Sequence, residues 1–153
     1  MSVGCATVRP MPLTVEEREQ FLAEPHIAAL SVSAGSDRGP LTLPIWYQYA
    51  PGGQVWFLTG TESEKMRRIR AAGRVSLMVE RLEPTVRYVS VEGPVISVEP
   101  MTEARHREMT ARYLPPEKVE PYLAYAASFG DQVVVSVRPE RWLSADLGAS
   151  SDW

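Results

Sequence analysis

VWFLTGTESEKMRRIR, Val55 to Arg70, decides how the rest of this chain is read. Val55, Trp56, Phe57 and Leu58 form an apolar run of strand composition, and Thr59, Gly60 and Thr61 break it. Thr61 followed by Glu64 is a capping-box pattern, which predicts a helix starting there. Met66 and Ile69 share one helical face, while Lys65, Arg67, Arg68 and Arg70 make the rest of the segment basic. A strand thus delivers hydroxyls and an ammonium to a helix N-terminus, where backbone N–H groups lack partners and the helix dipole is positive. Such a junction suits a phosphate. It also suits a plain capped helix with a solvated basic face. The segment has neither the GxxxxGK[ST] of a Walker motif nor the GxGxxG of a dinucleotide fingerprint.

Upstream, LTLPIWYQY, Leu41 to Tyr49, reads as a strand. Pro44 inside it cannot donate to a ladder, so it marks an edge, a bulge or an opening in the pairing. Such openings often lie beside ligands. Ala50, Pro51, Gly52 and Gly53 then make a hairpin turn. Before it, His26 to Ala34 reads as another strand. A short helix precedes that, capped by Thr14 with Glu17, carrying Val15, Phe21 and Leu22, and ended by Glu24-Pro25. Residues 1–12 read as a loose tail.

Downstream, Ala71-Ala72-Gly73 stops the basic helix. Val75, Leu77 and Val79 alternate with Ser76, Met78 and Glu80 as in a half-buried strand. Arg87 to Val98 is a long strand with a bend or bulge expected at Gly93-Pro94. Thr102 caps a helix over Glu103 to Tyr113, Pro115-Pro116 breaks it, and a second helical stretch runs from Glu117 to Phe129. Gln132 to Val137 is a nearly continuous apolar strand, which predicts burial on both faces. Residues 148–153 read as a C-terminal tail. The pattern predicts a mainly β (α+β) fold: a closed or nearly closed antiparallel barrel with helices packed outside, as one domain over 1–153.

Composition narrows the function. Hydrophobic residues are 44% and charged residues 23% of the 153, which is a globular balance. A net charge of −3 argues against a general nucleic-acid binder. A single cysteine, Cys5, cannot form an internal disulfide and fits a reducing compartment. There is no apolar run of the ~18 residues a membrane helix needs. The N-terminus also lacks a signal-peptide core, so a cytoplasmic location is expected. Acid–base machinery is sparse. His26 opens a strand and His106 sits in a charged helix, and both read as structural or surface residues. One cysteine and two scattered histidines make no zinc site. Ser63 lacks a GxSxG context. A barrel with a phosphate cradle and little else points to a cofactor that supplies the chemistry. Trp46, Tyr47, Tyr49 and Trp56 read either as core or as the wall of a flat ring.

Three motifs together resemble the pyridoxamine 5′-phosphate oxidase-like split-barrel flavin and deazaflavin proteins. They are Thr-x-x-x-Ser-x-Lys after a strand (Thr59, Ser63, Lys65), Arg-x-Val-x-Val-Glu-Gly (Arg87 to Gly93) and Pro-x-Arg-Trp (Pro139, Arg141, Trp142). The resemblance spans roughly Thr14 to Leu147. It implies a six-stranded antiparallel split β-barrel that works as a homodimer with cofactor sites at the interface. It places the phosphate arm at Thr59, Thr61, Ser63 and Lys65, beside Met66. It places the ring along Pro44, Ile45 and Trp46, with Arg87 and Tyr88 as further contacts and Trp142 closing the partner's site. The C-terminal RPERWLSADLGASSDW lacks the Arg and His set that binds vitamin B6. The PIWY strand and SADL ending are similar to the branch that uses coenzyme F-420, an 8-hydroxy-5-deazaflavin. That branch implies hydride transfer to a small unsaturated acceptor. FMN on the same fold, a non-catalytic carrier of flavin, haem or deazaflavin, and a cofactor-free interaction domain stay open beside it.

Overall fold

The computed structural model describes residues 11–149 and Ser151. In chain order its elements are α1 (Val15–Ala23), β1 (Ala28–Val32), β2 (Leu41–Ile45), β3 (Gln48–Tyr49), β4 (Val55–Gly60), α2 (Glu64–Ala72) and β5 (Arg74–Arg81). There follow β6 (Arg87–Pro100), α3 (Glu103–Tyr113), α4 (Pro116–Ala126) with a 3-10 turn (Ala127–Phe129), β7 (Gln132–Val137) and β8 (Arg141–Asp146). The strands run in the order β2-β1-β5-β6-β7-β4-β3, every pair antiparallel, with β8 also on β6.

The two ends of that order, β2 and β3, are consecutive in sequence. The stretch Leu41 to Tyr49, expected as one strand, is therefore shared between the two edges of the sheet. Trp46 and Tyr47 carry the chain from one edge to the other. The expected six-stranded split barrel is present as this ring. The strand count is eight among the described residues because Leu41 to Tyr49 divides in two and β8 joins as an addition. Pro44 lies on β2, an edge strand, where a missing N–H costs least.

Tyr47 holds the join. Its side chain is fully buried, and its hydroxyl donates to the Leu22 carbonyl at 2.6 Å. The ring interior is filled by alternate residues of each strand, among them Leu30, Phe57, Leu77, Val89 and Val135, with Phe21 and Leu22 of α1 and Met66 and Ile69 of α2 covering the ends. β7 is buried on both faces as its apolar run predicts. Val133, Val135 and Val137 join the main core, while Val134 turns outward into a second cluster with Trp56 and Met109.

The capping box of α1 forms as expected, with Thr14 Oγ1 accepting from Glu17 N–H and Glu17 accepting from Thr14 N–H, both at 3.1 Å. The C-terminal stop of α2 forms too, with Gly73 at φ +71°. At the N-terminus of α2 the expectation fails by two residues: the cap is Ser63, not Thr61. Thr61 is drawn away because its N–H and its hydroxyl both donate to the Asp131 carbonyl, at 3.0 and 3.2 Å. The irregularity foreseen at Gly93-Pro94 is where β6 changes partner. Arg87 to Glu92 pairs with β8, Val95 to Pro100 pairs with β7, and the register shifts between Val95 and Ser97. The β7–β8 turn presses against this point. A Cβ on Gly93 would stand 1.7 Å from the Arg138 carbonyl oxygen, so only glycine fits. Strand β8 itself was not foreseen. Arg141 to Asp146 alternates well enough, but Pro139 and the polar ending mask it.

Candidate functional site

Helices α3 and α4 pack beside the join in the barrel and enclose a cleft of about 430 Å³, within the ~300–1,000 Å³ usual for small-molecule sites. Three anchors fix α3 there. The Tyr113 hydroxyl donates to the His26 carbonyl at 2.7 Å and accepts the Tyr47 N–H at 3.1 Å. The Arg112 guanidinium donates to the Ala23 and Glu24 carbonyls, each at 2.8 Å. Met109 packs on Trp56 and Val134. An ion pair between Arg107 and Glu120 ties α4 to α3.

The barrel side of the cleft is made by Pro44 and Ile45 of β2, Trp46, Leu58 of β4, Gln132 of β7 and Lys65 of α2, with Ile27 beside β1. The helical side is made by His106, Met109 and Thr110 of α3 and Tyr122 of α4. Trp46 contacts two aromatics: it stacks on Tyr113 at 4.9 Å and 13°, and Tyr122 lies tilted at 5.4 Å. His106 meets the Tyr122 ring edge-on at 6.2 Å.

Four polar residues of the lining have side chains without a polar partner among the described residues. The Lys65 ammonium, the His106 ring nitrogens, the Tyr122 hydroxyl and the Gln132 carboxamide form no hydrogen bond or ion pair among the described residues. Burial lowers the pKa of Lys65 and of His106 and raises that of Tyr122. The imidazole is therefore held neutral at pH 7 and the phenol stays protonated. The other cations of α2 are committed. Arg67 and Arg68 bind Glu64, and those two hydrogen bonds hold its carboxyl below the usual range. Arg70 donates to the Thr61 carbonyl at 2.9 Å. Lys65 is the one α2 cation left for a ligand.

The sequence-predicted residues divide into three groups. Pro44, Ile45, Trp46 and Lys65 meet in the cleft. Thr59 and Ser63 stand at the base of α2, 3.1 Å apart through their hydroxyls, with Ser63 Oγ accepting the Met66 N–H at 3.1 Å. One of those two hydroxyl hydrogens remains free for an acceptor. Thr61 and Ser63 border an adjoining depression with Gly130 and Asp131, while the Met66 side chain is fully buried in the core. The third group, Arg87, Tyr88 and Trp142, lies on the β6–β8 pair and does not line the cleft. Arg87 donates to Asp146 at 2.9 Å, and Trp142 carries the Arg18 guanidinium 4.6 Å from its ring centre.

His106, Tyr122 and Gln132 are the site residues the sequence reading missed. His106 was read as structural or surface, and the structure puts it in the cleft wall. A signal existed: His106, Met109, Thr110 and Tyr113 form one i, i+3, i+4, i+7 stripe on α3.

A family model described as pyridoxamine 5′-phosphate oxidase matches residues 14–145, most of the chain. The chain belongs to the pyridoxamine 5′-phosphate oxidase family. That membership supports a flavin-type oxidoreductase as its class. Among solved structures, the chain is similar to an F-420 reductase: 26% identity, TM-score 0.65, covering 82% of this chain and 94% of that one. It is also similar to a conserved hypothetical protein from Mycobacterium tuberculosis: 25% identity, TM-score 0.68, covering 88% of this chain and 85% of that one. A FAD-binding protein from Mesorhizobium loti shares the fold at 15% identity, with TM-score 0.61 over 90% of this chain and 97% of that one. No curated protein matches the chain. No helix among the described residues is long and apolar enough to cross a membrane.

Proposed function

We propose that this protein is a homodimeric oxidoreductase that binds coenzyme F-420 and passes hydride to a small unsaturated organic acceptor. The observation that carries the proposal is the Lys65 ammonium, half-buried in the cleft wall with no counter-ion among the described residues. A half-buried cation without a counter-ion is unfavourable until an anion arrives. The residues present fit a phosphate-bearing ring cofactor. Lys65 would hold the anionic arm as a point charge, with the free hydroxyl hydrogen of the Thr59–Ser63 pair and the open N–H groups of α2 beside it. Pro44, Ile45 and Trp46 would bound the flat ring. When bound, the deazaflavin supplies a hydride, which asks little acid–base chemistry of the protein. The chain's own part is to orient the ring and exclude water from the apolar wall. The likeness to an F-420 reductase favours this cofactor over FMN. Arg87, Tyr88 and Trp142 stand outside their own cleft, which is consistent with their serving the partner's site in a dimer.

The test is a parallel titration of the purified protein with F-420 and with FMN, followed by cofactor fluorescence. The expected result is saturable binding of F-420, with FMN much weaker. Tight FMN binding without F-420 binding would replace the cofactor and keep the fold-level class. Binding of neither would reduce the Thr59 to Lys65 junction to a well-capped helix. Sedimentation of the same sample checks the dimer.

A further inference from the structure

We infer that Lys65 is a covalent capture site: while the cleft is empty, its amine condenses with a neutral, flat aromatic aldehyde to form an imine. The inference goes beyond the cofactor reading and does not depend on which ring cofactor the cleft takes. It starts from the cavity. Lys65 lines the cleft half-buried, and its side chain has no hydrogen bond or ion pair among the described residues. No carboxylate is among the described residues of the lining. Glu64, beside it in the chain, is taken by Arg67 and Arg68. The other titratable groups of the lining are His106 and Tyr122, which burial keeps as a neutral imidazole and a protonated phenol, so neither supplies a negative charge. Lys65 also stands two residues past the Ser63 cap, in the first turn of α2, where the helix dipole disfavours a cation. Desolvation, the missing counter-ion and the dipole all favour the neutral amine, and its pKa is lowered by burial in agreement. A desolvated lysine of this kind is an activated nucleophile. The walls choose its partner. Pro44, Ile45, Leu58 and Met109 are apolar, and Trp46 adds an aromatic surface, so a flat uncharged ring is suited to the space. An anion would instead pair with the ammonium and hold it protonated, which confines capture to the empty cleft.

The chemistry balances. The Lys65 nitrogen adds to the aldehyde carbon, forming a C–N bond, while the C=O π pair moves to oxygen. An N–H proton passes to that oxygen to give a carbinolamine. The carbinolamine loses its hydroxyl and the remaining N–H proton as one water, and the nitrogen lone pair closes the C=N bond. Nothing is oxidised or reduced, so the step needs no cofactor. The apolar walls slow the return of water to the imine. Capture is reversible, and while it lasts it removes the cation that an anionic ligand would bind.

The chain carries its own control, because its other lysine is Lys118, exposed on α4. Cofactor-free protein is incubated at pH 7 with 2-naphthaldehyde, imines are trapped with sodium cyanoborohydride, and both lysines are quantified by mass spectrometry after chymotryptic digestion. Lys65 should be labelled several-fold faster than Lys118. In urea, where neither lysine keeps its surroundings, the two should react alike. The ratio of Lys65 to Lys118 cancels the intrinsic reactivity of each aldehyde, so it should fall when acetaldehyde, which has no ring to hold, replaces 2-naphthaldehyde. Labelling of Lys65 no faster than Lys118 in the folded protein, or a ratio that survives urea, would overturn the capture site. An equal ratio with acetaldehyde would overturn the aromatic class. Binding of F-420 and FMN by unlabelled protein is measured separately. If a cofactor binds and Lys65 is not preferentially labelled, only this inference fails. If Lys65 is preferentially labelled and neither cofactor binds, the cofactor reading fails and the capture site stands.

Discussion

Replacing Lys65 with methionine should make the protein more stable and less able to bind its cofactor. Methionine keeps the apolar stem and removes the charge. In the cofactor-free protein Lys65 has no counter-ion among the described residues, and burial lowers its pKa. The folded state therefore holds this proton less tightly than the unfolded chain does. Between the lowered pKa and the ordinary lysine value of 10.5 the unfolded state binds more protons, so folding stability contributed by this group rises with pH through that window. At pH 7 the buried charge is a net cost. The side chain is partly solvated, which limits the cost to about 1 kcal/mol or less. Removing it should raise Tm by up to about 2–4 °C for a chain of this size. Binding moves the other way. A hydrogen bond to a charged group contributes about 1.5–3 kcal/mol, so the variant should bind F-420 about 10- to 150-fold more weakly. Wild-type affinity should also fall as pH rises through the lowered pKa, and the variant should lose that dependence. Thermal melts without cofactor and fluorescence titrations across pH read both effects. A variant that loses stability and keeps its affinity would refute the reasoning, because Lys65 would then be paired in solution and absent from the binding site.

Two structural perturbations test the scaffold around the site. Ser63→Ala removes the cap that accepts the Met66 N–H and strands the Thr59 hydroxyl, so it should cost about 1 kcal/mol in urea denaturation; no loss would mean that Thr61 caps α2 after all. Gly93→Ala places a Cβ 1.7 Å from the Arg138 carbonyl oxygen and must push β8 off β6. It should destabilise by about 3 kcal/mol or more, and a variant as stable as wild type would show that the β7–β8 turn does not press on Gly93.

The fold was legible where local chemistry decides it. Proline and glycine punctuate nearly every element boundary, from Pro25 to Gly130, and the apolar alternation of β5 and the double-sided run of β7 matched their burial. The misses share a cause. In sequence Thr61, with Glu64 three residues on, is the stronger cap; a carbonyl at Asp131, seventy residues away, takes Thr61 and leaves the role to Ser63. The break at Trp46-Tyr47 is likewise invisible in an uninterrupted aromatic run, because it depends on Tyr47 reaching the Leu22 carbonyl and on Tyr113 binding both chain segments. Contacts between distant positions chose among locally equivalent options.

The site divides along the same line. Pro44, Trp46 and Lys65 could be named because each is odd in its own segment: a proline in a strand, a tryptophan beside it, and one of only two lysines in the chain. His106 and Tyr122 are ordinary in theirs, and they become a site only when α3 docks on the barrel. That docking depends on Tyr113 and Arg112, which bind the α1–β1 loop and the Trp46-Tyr47 join together. The residues that nearly close the barrel are thus the ones that set the cleft's two walls at their spacing. A ligand spanning Lys65 on one side and the α3–α4 wall on the other would bridge those walls. The contacts that stitch the split in the barrel would then pre-organise its site, so loosening the stitch should weaken the ligand before it unfolds the ring.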